Sequence, residues 1–254
     1  VLLLSFAQEC GARPFVLGNG TNVLFPDGGV DRLIVNTCDM AEIASAGTGR
    51  IKAYSGASLA RVANFACRQG LTGLEFAHGI PGSVGGGVCM NAGAYGGELC
   101  QVVESVGVLF PDEGVKAVPC AEMDFGYRRS MLMAHPDAVV LYAVFALQAD
   151  DSAAIRRRMD DLMARRKASQ PLEYPSAGST FKRPEGHFAG RLIEEAGCKG
   201  LTIGGAQVSE KHAGFVINTG GATCADVLAL MEEVQRRVKA VSGVTLEPEV
   251  RVVR

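Results

Sequence analysis

Gly79-Ile-Pro-Gly-Ser-Val-Gly-Gly-Gly-Val-Cys-Met-Asn-Ala-Gly-Ala-Tyr-Gly-Gly97 is the stretch on which the reading of this chain turns. Most of its side chains are small or absent, and a glycine has no Cβ to hold another group away from the backbone. Successive N–H groups in such a run can form an anion-binding concavity. A second run of the same kind, Leu17-Gly-Asn-Gly-Thr-Asn22, lies upstream between two short apolar segments, 15–17 and 23–25. Neither run is G-x-G-x-x-G placed after a strand and before a helix, so a doubly wound dinucleotide fold is not the natural reading. Neither carries a Walker lysine. One glycine loop is more often only a turn, but two in one chain favour a dinucleotide site.

Outward from these runs, the hydrophobic pattern alternates between two kinds. Residues 1–11 and 58–70 read as helices. In the second, Leu59, Val62, Ala63 and Ala66 recur at helical spacing, Ser58 can cap the start and Gly70 the end. Short apolar runs at 15–17, 23–25, 32–35, 50–54, 102–110 and 139–147 read as strands, and Pro26-Asp-Gly-Gly29 is turn chemistry. Residues 150–168 predict a polar helix with Ile155, Met159, Leu162 and Met163 on one face and arginines on a solvated one, ended by Gln170-Pro171. A compositional shift near Tyr174-Pro-Ser-Ala-Gly178 suggests a domain boundary. Beyond it, 188–196 and 225–241 read as helices, and 214–218 and 250–253 as strands. Val227, Leu230, Met231, Val234 and Val238 form the buried stripe of the longer helix.

With 254 residues, 48% hydrophobic and 20% charged, the composition is that of a globular protein. A net charge of −2 without a basic block points away from nucleic acid and from anionic membranes. The eight cysteines form no C-x-x-C pair and mostly lie in apolar runs, as expected of reduced thiols in the cytoplasm. The apolar opening at Val1 lacks a basic leader and breaks at Gln8-Glu9, so it reads as neither a signal peptide nor a span. With no initiating Met and a helix already under way, further residues are expected upstream.

Three polar motifs remain. Gly126-Tyr-Arg-Arg-Ser130 sets a ring and two cations before an apolar segment. Pro175-Ser-Ala-Gly-Ser-Thr-Phe-Lys-Arg-Pro184 gathers hydroxyls and cations between prolines, and reads either as a solvated hairpin or as an anion-holding loop that presents Ser179. Leu246-Glu-Pro-Glu-Val250 places two carboxylates beside a terminal strand, where such groups usually face solvent. The four histidines are scattered, no spacing suits a metal, and there is no nucleophile elbow.

These motifs, in this order, together with Gly73-Leu-Glu-Phe76 and Lys211-His-Ala-Gly-Phe215, resemble the UDP-N-acetylenolpyruvoylglucosamine reductase family over nearly the whole chain. The resemblance implies an α+β architecture, the FAD-binding fold of the vanillyl-alcohol-oxidase type with a smaller C-terminal substrate-binding domain. The FAD-binding domain would take 1–175, completed by strand 247–254, and the substrate-binding domain 176–246. The spacing from Arg128 to Ser179 resembles the shorter form without a lid insertion. The family also has a further N-terminal stretch with a flavin-holding glycine pair.

On this resemblance, Gly18, Asn19, Gly20, Thr21, Asn22, Gly79, Ile80, Pro81, Gly82, Ser83, Gly85 and Gly86 would hold FAD. NADPH would reduce it. Ser179 would donate a proton, Arg128 would face the substrate carboxylate, and Glu249 would steady the intermediate. Tyr127, Lys182, Arg183 and Lys211 would grip the UDP-sugar. No metal and no protein partner is implied. Alternative readings are another flavin-linked oxidase of the same fold, or a nucleotide-binding protein without catalysis.

Overall fold

The computed structural model describes residues 2–253. The helix read from Val1 and the strand segment read to Arg254 therefore each begin or end one residue outside it. In chain order the first elements are α1 (Leu2–Glu9), β1 (Phe15–Leu17), β2 (Val23–Leu24), β3 (Ile34–Asn36), β4 (Ile43–Ser45), β5 (Arg50–Tyr54), α2 (Leu59–Arg68) and β6 (Leu71–Thr72). There follow α3 (Val84–Cys89), β7 (Gly93–Ala94), β8 (Gly97–Glu98), β9 (Val103–Phe110), β10 (Gly114–Pro119), β11 (Val139–Ala146) and β12 (Gln148–Ala149). The rest are α4 (Ser152–Ser169), β13 (Ser176–Ser179), α5 (Ala189–Glu195), β14 (Thr202–Ile203), β15 (Ala206–Val208), β16 (Phe215–Asn218), α6 (Cys224–Ser242) and β17 (Arg251–Val252).

The chain divides into two units, Val1–Gly20 with Arg32–Arg165, and Thr21–Asp31 with Arg166–Arg254. The first is built on an antiparallel sheet in the order β10-β9-β11-β5-β4. Alternation along β5 buries Ile51 and Ala53 completely and leaves Lys52 on the other face, its ammonium 3.8 Å from the Tyr142 ring centroid. The buried face meets Leu59, Val62, Ala63 and Ala66 of α2 and Val84 and Val88 of α3. Helix α2 starts where the Ser58 hydroxyl accepts from the Arg61 amide, and Gly70, at φ 65°, turns the chain away at its end.

The arginine face of α4 is largely exposed, as its sequence suggests, but Arg158 and Arg156 also have protein partners. Arg158 donates to Glu75 at 2.8 Å, to the Thr72 hydroxyl at 3.0 Å and to Asp150 at 2.5 Å. Arg156 donates to Asn64 at 2.9 Å. Burial alone would push the Glu75 carboxyl up, but bonds from the Thr72 hydroxyl, the Gly73 amide and Arg158 together carry it below the ordinary carboxylate value.

In the second unit a sheet of order β13-β16-β15-β14 packs with α5 and α6. Its core holds Phe181, Leu192, Ile193, Leu230, Met231, Val234, Val238 and Leu246. All four orphan amides at the start of α6, from Thr223 to Asp226, are satisfied. Thr223 and Asp226 form a capping box, and Asp27 accepts from Cys224 at 2.6 Å and Ala225 at 3.1 Å. β17 runs parallel to β2, Arg251 beside Val23 and Val252 beside Leu24. Through these bonds residues 21–31 and the terminal strand fall in the second unit, whereas the sequence reading places both in the first domain. The Arg165/Arg166 division lies inside α4, upstream of the shift near Tyr174.

Asp27→Ala, by uncapping α6 from a remote segment, is expected to destabilise the protein by about 1–2 kcal/mol in urea unfolding. An unchanged unfolding midpoint would remove Asp27 from the capping scheme. For Glu75 the folded value is depressed, so its contribution is full above the unfolded carboxylate value of about 4.3 and is lost as pH falls below it. The thermal midpoint of the parent should therefore exceed that of Glu75→Gln near neutrality and converge with it on acidification. A gap that stays constant down to roughly pH 3 contradicts this account.

Candidate functional site

The two glycine runs are drawn together by a segment that belongs to neither. Between β5 and α2, residues 55–59 carry backbone hydrogen bonds on both edges. On one edge the Gly56 amide donates to the Met40 carbonyl at 2.9 Å. On the other, Ser55 O accepts from Gly85, Ala57 O accepts from Val84, and the Leu59 amide donates to Gly82 O, at 2.8, 2.8 and 3.0 Å. Gly56 is where the first edge comes closest, because a Cβ there would run into the Thr37 carbonyl and stand 2.8 Å from the Cys38 backbone.

Thr37 in turn donates its amide to Leu17 O at 2.9 Å, at the mouth of the first run. Asn19 Nδ2 donates to Pro81 O at 2.9 Å, closing the circuit between the two runs. Gly18 lies so near Ser83 that an added Cβ would collide with the Ser83 hydroxyl, and Gly20 takes φ 68°. The second run is not all loop. Ser83 caps α3, its hydroxyl accepting from the Gly86 amide at 3.4 Å.

The glycines among residues 18–20 and 79–83 leave peptide groups that carry no side chain of their own, and such peptide groups fit a diphosphate. Not all the expected holders are alike, however. The amides of Ile80, Gly85 and Gly86 already donate within the protein, to Ala77 O, Ser55 O and the Ser83 hydroxyl. Next to the run, burial and then the charge of Arg156 push the His78 imidazole below its ordinary value, and its Nδ1 lies 3.3 Å from Asn64 Nδ2. A neutral ring that accepts from the amide suits both facts.

Also in the first unit, Tyr127 and Arg128 form the tip of a tight turn. Gly126 and Arg129 exchange backbone bonds of 3.1 and 3.2 Å across it. Arg128 takes φ 54°, a left-handed position that favours glycine, and its guanidinium carbon lies 5.1 Å from the Tyr127 ring centroid. Tyr127 is exposed and Arg128 half-buried.

In the second unit, Ser179 ends β13 and pairs with Phe215 of β16. The chain then runs antiparallel to the segment before β17. Glu249 donates its amide to Thr180 O at 2.8 Å, and Lys182 donates to Glu247 O at 2.8 Å. Ser179 and Glu249, 70 positions apart, are thus held on neighbouring backbones, both half-buried. Asn22 fastens the same place, its Nδ2 donating to Glu249 O at 3.1 Å and its carbonyl accepting from Arg251. Thr180 is buried, with its hydroxyl accepting from the Val216 amide. Side-chain alternation therefore gives Ser179 the opposite face from a structural threonine.

The cations expected to hold the sugar nucleotide have protein partners. Lys182 pairs with Glu247, and Arg183 lies 3.9 Å from the centroid of the Phe188 ring. Lys211 donates to Lys167 O at 2.8 Å and pairs with Glu173 at 3.6 Å, which fixes the end of α4. The expected site residues therefore form two sets. Tyr127, Arg128, Gly18, Asn19, Gly20 and residues 79–86 belong to the first unit, and Thr21, Asn22, Ser179, Lys182, Arg183, Lys211 and Glu249 to the second. Sequence reasoning missed Ser55, Gly56 and Asn91. Gly56 stands alone in Ser55-Gly-Ala57, and nothing in Met90-Asn-Ala92 signals that Asn91 is buried. Among the described residues no cluster of His, Cys, Asp or Glu could hold a metal.

Comparison with known proteins covers both units. Residues 1–118 match the family described as FAD binding domain, and residues 170–253 match UDP-N-acetylenolpyruvoylglucosamine reductase, C-terminal domain. The UDP-N-acetylenolpyruvoylglucosamine reductase of Clostridium novyi is 51% identical over 251 residues, 99% of this chain and 81% of that protein. That of Levilactobacillus brevis is 49% identical over 251 residues, 99% of this chain and 82% of that protein. The crystal structure of UDP-N-acetylenolpyruvylglucosamine reductase from Thermus caldophilus superposes with a TM-score of 0.86 at 38% identity, covering 99% of this chain and 88% of that one. The architecture is accordingly an α+β FAD-binding fold with a smaller C-terminal domain.

If Gly18 is glycine because Ser83 lies against it, Gly18→Ala should lower stability by about 1–3 kcal/mol, the usual cost of overpacking. Ser83 is buried, and turning its hydroxyl aside would give up the cap of α3. Ser83→Gly should then cost less in the Gly18→Ala background than in the parent. Strictly additive losses in urea unfolding would show that the two positions do not meet.

Proposed function

The chain belongs to the UDP-N-acetylenolpyruvoylglucosamine reductase family, and on that premise we propose how its residues reduce the enolpyruvyl ether of UDP-N-acetylglucosamine to the lactyl ether, UDP-N-acetylmuramate, for peptidoglycan synthesis. The observation that carries the assignment of roles is the juxtaposition of Ser179 and Glu249 on neighbouring backbone segments of the second unit.

When bound, FAD would supply the redox chemistry between NADPH and the alkene. In the first unit the peptide groups of Gly18, Asn19, Gly20, Gly79, Gly82 and Ser83 are the ones we assign to its diphosphate. Ile80, Gly85 and Gly86 serve instead by shaping the run, because their amides are engaged elsewhere. Thr21 and Asn22, in the second unit, are also assigned to FAD, and Asn22 fastens Glu249.

An alkene joined to an ether oxygen is electron-rich, so hydride adds only if the charge that arrives is stabilised. Arg128, with a planar fork of donors, holds the substrate carboxylate into which that charge spreads. Glu249 is assigned to steadying the enolate-like intermediate. Ser179 donates a proton to the adjacent carbon, a step that a weak acid can manage because an enolate carbon is strongly basic. Tyr127 lines the approach beside Arg128. Lys182, Arg183 and Lys211 are assigned to the anionic sugar nucleotide, and each must share or give up the partner described above. The first unit is then the FAD-binding domain and the second the substrate-binding domain.

All eight cysteines are free, and no described helix is long and apolar enough to cross a membrane. Reduced thiols suit a cytoplasmic enzyme acting on a soluble nucleotide sugar, which is where we place it.

Because Ser179 acts only on the carbon intermediate, Ser179→Ala should leave flavin reduction by NADPH nearly intact in stopped flow. Reoxidation by the enolpyruvyl substrate should slow by roughly 10²–10⁴-fold, the usual worth of a placed proton donor. Ser179→Cys should recover part of that rate. Reoxidation by Ser179→Ala at the parent rate would exclude the hydroxyl as the acid.

A further inference from the structure

The turn that carries Arg128 is fastened at both ends to one short segment, the last residue of α3 and those just after it. Asn91 Nδ2 donates to Gly126 O at 3.1 Å, and the Ser130 hydroxyl donates to Cys89 O at 2.8 Å. Asn91 and Ser130 are each only 1% exposed. The rest of the Asn91 amide is also engaged, with Nδ2 donating to Glu98 Oε2 at 2.9 Å and Oδ1 accepting from the Cys100 amide at 3.0 Å. Asn91 itself sits at φ 42°, a left-handed backbone that asparagine tolerates better than most residues.

We propose that Asn91 is a positioning residue for Arg128. A left-handed arginine at the tip of a four-residue turn costs free energy unless its surroundings enforce it. The turn's own two backbone bonds close it but do not orient it. Asn91 grips the carbonyl at its base, and so sets the direction in which the Arg128 guanidinium leaves the backbone. The position needs two donors and an acceptor at once. Aspartate would place oxygen where Nδ2 now meets Glu98 and Gly126 O. Leucine or alanine would leave a half-buried carbonyl and a half-buried carboxylate without that donor. Asn91 acts through Gly126, so its effect on the reaction must pass through Arg128. The inference rests on the role assigned to Arg128 above.

The test is a double-mutant cycle on the full chain loaded with FAD, combining Asn91→Gly with Arg128→Ala. Glycine removes the amide while suiting the left-handed backbone. Two quantities are read: the rate of flavin reoxidation by the enolpyruvyl substrate, and the calorimetric Kd for UDP-N-acetylmuramate, which needs no turnover. In the parent, Asn91→Gly should slow reoxidation by roughly 10–100-fold and weaken product binding, as a misplacement of order 1 Å does. In the Arg128→Ala background the same substitution should change either quantity by less than about threefold, since coupled residues are not additive. Equal losses in both backgrounds would mean that Asn91 only supports the fold, and would overturn the proposal while leaving Arg128 in its role. An Arg128→Ala enzyme that reoxidises and binds product like the parent would overturn the role of Arg128 and the inference with it. Asn91→Asp, which keeps the volume and loses the donors, enters the same cycle and decides the matter if the glycine variant does not fold.

Discussion

Five consecutive residues, Ser55 to Leu59, do for this protein what a central strand does for a sheet. Their backbone is bonded on one edge to the segment after β3 and on the other to the start of α3, and Gly56 is pressed against the Thr37 carbonyl with no space for a side chain. An unpaired buried peptide group is costly, so this ladder tolerates little slippage. Every feature of the first glycine run that faces the second depends on it. Displacing residues 55–59 by a fraction of an ångström would move Pro81 from Asn19 and Ser83 from Gly18.

The same economy of backbone contacts governs the proposed chemistry. A strong electrostatic group is useful only when its geometry is fixed before the substrate arrives. Arg128 is fixed by a turn in a conformation unusual for arginine, and Ser179 and Glu249 by pairing between segments that no local interaction would bring together. In each case a buried polar side chain or main-chain amide, rather than apolar packing, sets the position. Asn22 does this for Glu249, and Asn91 does it for the base of the arginine turn.

The long periodic elements were legible in the sequence. α2, α4 and α6 show their buried stripes, and β9 and β11 their β-branched runs, because burial selects side chains at the period of the element. α3 was hidden, since Val84-Gly-Gly-Gly-Val-Cys89 has a composition that opposes a helix by about 1 kcal/mol per glycine. It forms because Ser83 caps it and its valines are buried. β13 was read as a loop for a related reason, as Gly178 at φ 79° breaks its regularity, and strands of two or three residues such as β14 and β15 leave no period to detect. Ser179, Arg128 and Glu249 were named through family resemblance. Their immediate supports were not, because a buried asparagine and an exposed one are spelled alike. Some residues expected to bind ligand, Gly85 and Lys211 among them, turn out to have structural partners that sequence cannot display.

One feature of the topology bears on how such a protein can be taken apart. The chain leaves the first unit after Gly20, builds β2 and the Asp27 cap in the second, and returns at Arg32 before crossing again inside α4. The smaller unit is therefore woven from two stretches of sequence more than a hundred residues apart. A fragment cut at residue 166 would lose the partner of β17 and two acceptors at the head of α6, leaving an open strand edge inviting association. Ribosomal synthesis meets the same constraint in time, since residues 21–31 emerge early and must wait for the C-terminal third before their partners exist. Modules threaded in this way cannot be exchanged between proteins by simple end-to-end joining.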